Sequence, residues 1–163
     1  MSACAIRYSF LMKTPAVHLL ARAVIEHEDH FLLARAHGAS NSFLPGGHIE
    51  YGEGIPNCLR RELLEETGLS VNVGQFLGIV EHDWADAHGR RQVEINHLFL
   101  VSSPALTRDQ PVASVEADLS FEWVHLSQLE AKALKPLPLI NLLTRLDLSE
   151  AWYASSLGTN QWR

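Results

Sequence analysis

Apolar residues along this chain change their period several times, and the changes mark out the elements. Val17 to Glu26 (VHLLARAVIE) and Phe31 to Ala36 (FLLARA) are β-rich runs, and the polar stretch His27 to His30 between them predicts a tight turn. Ser42 to Gly47 (SFLPGG) reads as a short extended piece ending in a turn. The period then becomes helical. Ile55, Leu59 and Leu63 recur every fourth residue as one apolar stripe, Pro56 suits the first helical turn, and Gly68 suits a left-handed stop. Gln75 to Trp84 and Arg91 to Val101 flank ADAHGR, a pattern that predicts an antiparallel hairpin.

The rest of the chain is read in the same way. Ser103 to Leu119 is polar, carries Pro104 and Pro111, and is long enough to suggest a mobile active-site loop. Phe121 to His125 reads as a strand. Ser127 with Glu130 three residues later is a capping box that predicts a helix, and Leu137 to Leu148 predicts a last one. No repeat, low-complexity tract or linker divides the chain, so one domain is expected over residues 15–148. Residues 1–14 read as an N-terminal extension, disordered or pairing with another subunit, and residues 149–163 as a C-terminal tail.

Composition fits a small enzyme. At 163 residues and 47% hydrophobic, the chain is long enough to bury a core. A net charge of −6 argues against a general nucleic-acid or membrane surface, although a bound cation can reverse the sign locally. Cys4 and Cys58 are too few for a disulfide framework, and no apolar run approaches the ~20 residues of a membrane span. The start, MSACAIRYSFLMK, lacks the features of a secretory signal, so a cytoplasmic location is expected.

The chemistry concentrates on the predicted helix. Glu62, Glu65 and Glu66 stand at i, i+3 and i+4, so their carboxylates share a face and cost the isolated helix a few tenths of a kcal/mol per pair. Arg61, four residues before Glu65, offsets only part of that. Such a cluster is either a solvated acidic face or a site for a hard cation, since Mg²⁺ takes oxygen ligands. The spacing around it separates the two. Gly47, five residues, Glu53, seven residues, Arg61-Glu62-Leu63, one residue, Glu65-Glu66, one residue, Gly68-Leu69 resembles the signature of the Nudix hydrolases at every defined position. Seven identities at average residue frequencies correspond to roughly one chance match per million chains of this length.

The resemblance implies a fold, an activity and a set of roles. The fold would be the α/β Nudix fold, an α/β/α sandwich with a central mixed β-sheet. The looser likeness runs from about Val17 to Leu129, through FLPGG and FEWVHLSQL. The activity would be Mg²⁺- or Mn²⁺-dependent cleavage of a pyrophosphate bond in a nucleoside diphosphate linked to another group. Glu62, Glu65 and Glu66 would hold the metal, with the Gly46 carbonyl completing the coordination. Glu53 and Arg61 would form the salt bridge that orients the helix. Leu63 and Leu69 match apolar packing positions, and Cys58 reads as a small buried thiol. Glu66 or Glu62 would accept the proton of the attacking water, unless a downstream loop supplies the base; Glu116 is the leading residue there, as base or extra ligand, or else an ordinary loop carboxylate.

Four residues outside the box are candidates for substrate contact, each with a plainer alternative. Arg35 resembles an arginine that binds phosphate in some members, and Arg22 is a weaker case of the same kind; either could be a surface charge. His48 could meet phosphate or solvent, and Trp84 could stack on a base or simply pack. His82, His88 and His97 share no short metal motif. The region of Asp83 to Asp86 lacks the proline of many ADP-ribose pyrophosphatases and the tyrosine of diadenosine polyphosphate hydrolases. Nothing resembles the SQPWPFPxS run of NADH pyrophosphatases. The substrate is therefore an unspecified small nucleoside diphosphate derivative, and a homodimer stays open. Two other readings share the fold: a non-catalytic nucleotide-sensing or partner-binding module, which commonly loses box glutamates, and an isopentenyl diphosphate isomerase, which departs from the box.

Overall fold

The computed structural model describes residues 16–86 and 88–157. The expected N-terminal extension, residues 1–14, lies outside them, as do residues 158–163 of the tail. The elements are β1 (Val17–Val24), β2 (Glu26–His27), β3 (His30–Ala36), α1 (Ile55–Thr67), β4 (Asn72–Ala85), β5 (Arg91–Ser102), β6 (Leu119–His125), α2 (Pro138–Arg145) and β7 (Trp152–Ser155). They form a mixed α/β fold. The central sheet has the order β1-β5-β4-β7, with β1 parallel to β5, β4 antiparallel to β5, and β7 parallel to β4. A second, antiparallel sheet has the order β2-β3-β6.

Side-chain alternation along β1 and β5 sends successive residues to opposite faces of the central sheet, and each face has its own core. Ala21, Ala23, Phe99 and Val101 pack with Leu59 and Leu63 of α1. Val24, Leu98 and Val80 pack instead with Phe31 and Leu33 of β3 and with Leu139 and Leu143 of α2. The apolar stripe of α1 is thus its buried face: Leu59 and Leu63 are fully buried, and Ile55 packs at the margin. The helix stops where Gly68 turns left-handed (φ 71°) and its N–H donates to Leu64 O at 2.8 Å.

Several expected elements differ from the structure. The run Val17 to Glu26 is two strands, not one. The chain leaves the central sheet at Ile25, whose carbonyl accepts from Leu32 N–H (3.0 Å), and β2 pairs with β3 in the other sheet. The helix expected from Ser127 and Glu130 is a single 3₁₀ turn, Leu126–Gln128. His125 takes over the cap there: its Nδ1 accepts from Ser127 N–H (3.2 Å) and lies 2.8 Å from Ser127 Oγ, so the Ser127 hydroxyl does not cap. α2 ends at Arg145 because Leu146 adopts a left-handed conformation (φ 37°). Trp152–Ser155, for which the sequence pattern predicts no element, adds an edge strand to β4. Gly78 makes that pairing possible, since a Cβ there would stand 2.0 Å from Trp152 O.

Candidate active site

The glycine-rich turn before α1 is fastened to β1 by backbone hydrogen bonds. Ala23 N–H donates to Pro45 O and Ala21 N–H to Gly47 O, both at 2.9 Å, while Phe43 exchanges backbone bonds with Ala34 of β3. The turn runs so close to its neighbours that a side chain at Gly46 would meet backbone and one at Gly47 would meet the end of the Glu62 side chain. Gly46 has φ 118°, and a Cβ there would meet Ala21 O at 2.3 Å. A Cβ on Gly47 would lie 2.3 Å from Glu62 Oε2, so the Glu62 carboxylate occupies the space that this glycine leaves.

The predicted salt bridge is bidentate. Arg61 Nε donates to Glu53 Oε1 and Arg61 Nη2 to Glu53 Oε2, each at 2.9 Å. Hydrogen bonds from Arg61 hold the Glu53 carboxyl down at about 2. The same guanidinium reaches His48 O (3.1 Å), Glu62 Oε1 (2.8 Å) and Glu65 Oε2 (3.2 Å). Arg61 therefore ties the loop bearing Glu53 and His48 to the acidic face of the helix. Cys58 is the buried thiol expected, donating toward His48 O (3.3 Å) and pushed up to about 12 by burial.

Glu66 is the most enclosed of the glutamates at 4% exposure, and its Oε2 accepts from Gly46 N–H at 3.2 Å. Burial pushes its carboxyl up to about 7; the Gly46 N–H and the Arg22 charge oppose the shift, while Glu62 and Glu116 add to it. The folded form thus favours the protonated acid over the unfolded value of 4.5. That contribution is complete below the unfolded value and is lost as pH rises through about 7. In chelator-treated protein, the stability of Glu66→Gln relative to wild type should rise between pH 5 and 8 by up to about 3 kcal/mol. Thermal melts of the two proteins across that range measure the difference, and a constant difference would contradict the assignment.

Glu116 lies on the long loop before β6, and its charge acts on Glu66. That loop is docked on the end of α1, with Val115 N–H donating to Glu66 O at 2.8 Å and Ser114 Oγ to Glu66 O at 3.4 Å and Glu116 O at 2.8 Å. Arg22 sits on the other side of the glycine turn. Its Nη1 donates to Gly46 O and to Leu44 O (3.2 Å), its Nε to Asn96 Oδ1 (3.4 Å), and its guanidinium lies 5.2 Å from the Phe43 ring centre. Beside it opens a cleft of about 490 Å³ lined by Arg22, Phe43, His82, Trp84, Glu94 and Lys135, among others. Trp84 is 43% exposed at its rim.

The other sequence candidates fall elsewhere. Arg35 spends its donors on the carbonyls of Ala39, Ser40 and Lys132 at 3.4, 3.2 and 3.1 Å, and it lines a separate, smaller pocket. His48 pairs through its Nε2 with His18 Nδ1 at 3.0 Å, and His18 Nε2 lies 3.1 Å from Gln92 Oε1. Burial, then His18, keeps the His48 imidazole below its ordinary range. Phe43, Glu94 and Lys135, all in the cleft, escape the sequence reading. The alternation that pairs His82 with Glu94 across the hairpin is the one signal that could have flagged the acidic member.

The donor set at the helix is oxygen only, which suits a hard divalent cation. Among the described residues, no group of three or more His, Cys, Asp or Glu side chains is gathered closely enough to hold a metal ion. In this arrangement Arg61 holds Glu62 and Glu65, Arg22 holds the Gly46 carbonyl, and Glu66 accepts from Gly46 N–H. Among the described residues no helix is long and apolar enough to cross a membrane.

Comparison with known proteins agrees with this architecture. The sequence matches the family described as NUDIX domain over residues 16–144. It is 29% identical over 82 residues to an 8-oxo-dGTP diphosphatase of Proteus vulgaris, an alignment spanning 48% of this chain and 73% of the relative. A Nudix hydrolase from Nitrosomonas europaea superimposes with a TM-score of 0.55 at 26% identity, covering 80% of this chain and 87% of the other. For a MutT protein from Methanosarcina mazei Go1 the TM-score is 0.63 at 23% identity, covering 82% and 95%. Residues 16–144 include the whole glycine turn, α1 and the cleft-forming hairpin; the chain belongs to the Nudix hydrolase superfamily.

Proposed function

We propose that the chain hydrolyses a pyrophosphate bond in a nucleoside diphosphate linked to a further group, using Mg²⁺ or Mn²⁺ held by Glu62, Glu65, Glu66 and the Gly46 carbonyl. The observation that carries this reading is the position of the three glutamates. Arg61 and Glu53 lock the helix that bears them to the preceding loop, and the Gly46 peptide joins Glu66 to the Arg22 side of a cleft large enough for a nucleoside. When bound, the cation supplies charge neutralisation at the phosphate oxygens and a more acidic water for attack at phosphorus.

The chain's own residues do the rest. Gly47 lets the Glu62 carboxylate approach the turn, and the Glu53–Arg61 fork fixes the pitch of the helix against it. Trp84 and Phe43 offer apolar faces to a base or ribose, and Arg22 and Lys135 offer positive charge to phosphate. On this reading Glu116, carried by a loop bonded to the Glu66 backbone, accepts the proton of the attacking water. Glu116→Gln should then lower kcat by about 100-fold or more while Mn²⁺ affinity changes little. An equal loss of Mn²⁺ binding would make Glu116 a ligand instead of the base.

The 8-oxo-dGTP diphosphatase relative and an ADP-ribose pyrophosphatase from Streptococcus suis among the structural neighbours define the range of substrates to test. A panel with Mg²⁺ or Mn²⁺ should cover nucleoside triphosphates and their oxidised forms, ADP-ribose, nucleotide sugars, dinucleotides and capped RNA. Cleavage of at least one at a P–O–P linkage is expected. Silence across the panel would favour a nucleotide-binding module on the same fold.

A further inference from the structure

We infer that Arg22 is an internal competitor of the divalent cation, holding the Gly46 carbonyl when no cation is bound and lowering the site's affinity for one. The inference rests on the proposed metal role of Gly46 and the box glutamates. Arg22 lies on β1 between Ala21 and Ala23, and its side chain takes the opposite face of the sheet from theirs, toward Asn96 and the glycine turn. One guanidinium nitrogen bonds both Gly46 O and Leu44 O. The charge interacts with Glu94, Glu66 and Glu62, two of which are the carboxylates that a divalent ion would use. Arg22 therefore serves as a counter-cation for the acidic face, at a carbonyl needed for coordination.

Two positive charges within a few ångströms of each other oppose one another, so bringing in a divalent ion works against Arg22. The same side chain also lines the cleft. A phosphate there would draw the guanidinium away from Gly46 O, coupling occupation of the cleft to occupation of the metal site. Arg22 is in this sense a positioning residue. Its removal should strengthen one ligand, an outcome that structural damage does not produce.

The test is Mn²⁺ binding to the full chain, followed by electron paramagnetic resonance, with no substrate present. Arg22→Met, which keeps the length and removes the charge, should bind Mn²⁺ about fivefold or more tightly than wild type. Arg22→Lys, which keeps the charge, should stay near wild type. If Arg22→Met does not give a cooperative melt, Arg22→Gln reports in its place. Mn²⁺ binding unchanged or weakened in the charge-removing variant would overturn the inference. Wild-type Mn²⁺ binding that survives in Glu66→Gln would instead overturn the metal site on which it rests, so the two failures are distinguishable.

Discussion

Glu66→Gln is expected to reduce cation-dependent hydrolysis by about 100- to 10,000-fold, the range associated with losing one essential acid–base or ligand group. The substitution is nearly isosteric, and the amide can still accept from Gly46 N–H, which now bonds Glu66 Oε2 at 3.2 Å. What disappears is the negative charge. Because burial already pushes this carboxyl up to about 7, a neutral amide suits the cation-free pocket at least as well. The variant should therefore fold, melt at or above the wild-type temperature in chelator at pH 8, and fail to gain stability when Mn²⁺ is added. Wild type should gain it, since a ligand that binds only the folded state stabilises that state. An inactive variant that melted well below wild type would point to a structural role, and full turnover would remove Glu66 from the mechanism.

Gly46→Ala and Gly47→Ala should separate fold from function at adjacent positions. The new methyl at Gly46 meets the Ala21 carbonyl, a backbone atom in the middle of β1, and the residue must also hold φ at 118°. Left-handed backbone and the clash together predict a loss of about 3 kcal/mol or more, read as a large drop in melting temperature. At Gly47 the methyl instead meets the end of the Glu62 side chain, which can swing aside. That protein should keep most of its stability and lose about 100-fold in kcat/KM, the scale of a catalytic group misplaced by about 1 Å. If Gly47→Ala stayed fully active, the Glu62 carboxylate would not need its position against the turn.

The box helix was legible because its signals are local. Pro56, Gly68 and the Ile55–Leu59–Leu63 stripe specify α1 within its own residues, and the Glu53–Arg61 pair forms across only eight positions of sequence. The cleft was not legible in the same way. Phe43, His82, Glu94 and Lys135 come from four separate segments, joined by strand registers that no single window contains. Arg22 and Arg35 show the limit clearly. Both sit in LAR-A sequences on β-strands, yet one side chain reaches the glycine turn and the other is spent on the carbonyls of Ala39, Ser40 and Lys132. The pattern fixes that each lies on a strand, while tertiary neighbours decide what each guanidinium meets. β7 was missed for a similar reason, since a four-residue strand carries little periodicity and depends on Gly78 of β4 to receive it.

Cation-dependent attack of water at phosphorus beside the box glutamates leaves an isotopic record in the products. The most direct measurement takes the substrate that responds in the panel and hydrolyses it in ¹⁸O-water, with Mg²⁺ or with chelator, followed by mass spectrometry of both products. One ¹⁸O is expected in a phosphate-bearing product when Mg²⁺ is present, with no turnover in chelator. Label in a product without phosphate, or equal turnover in chelator, would contradict it.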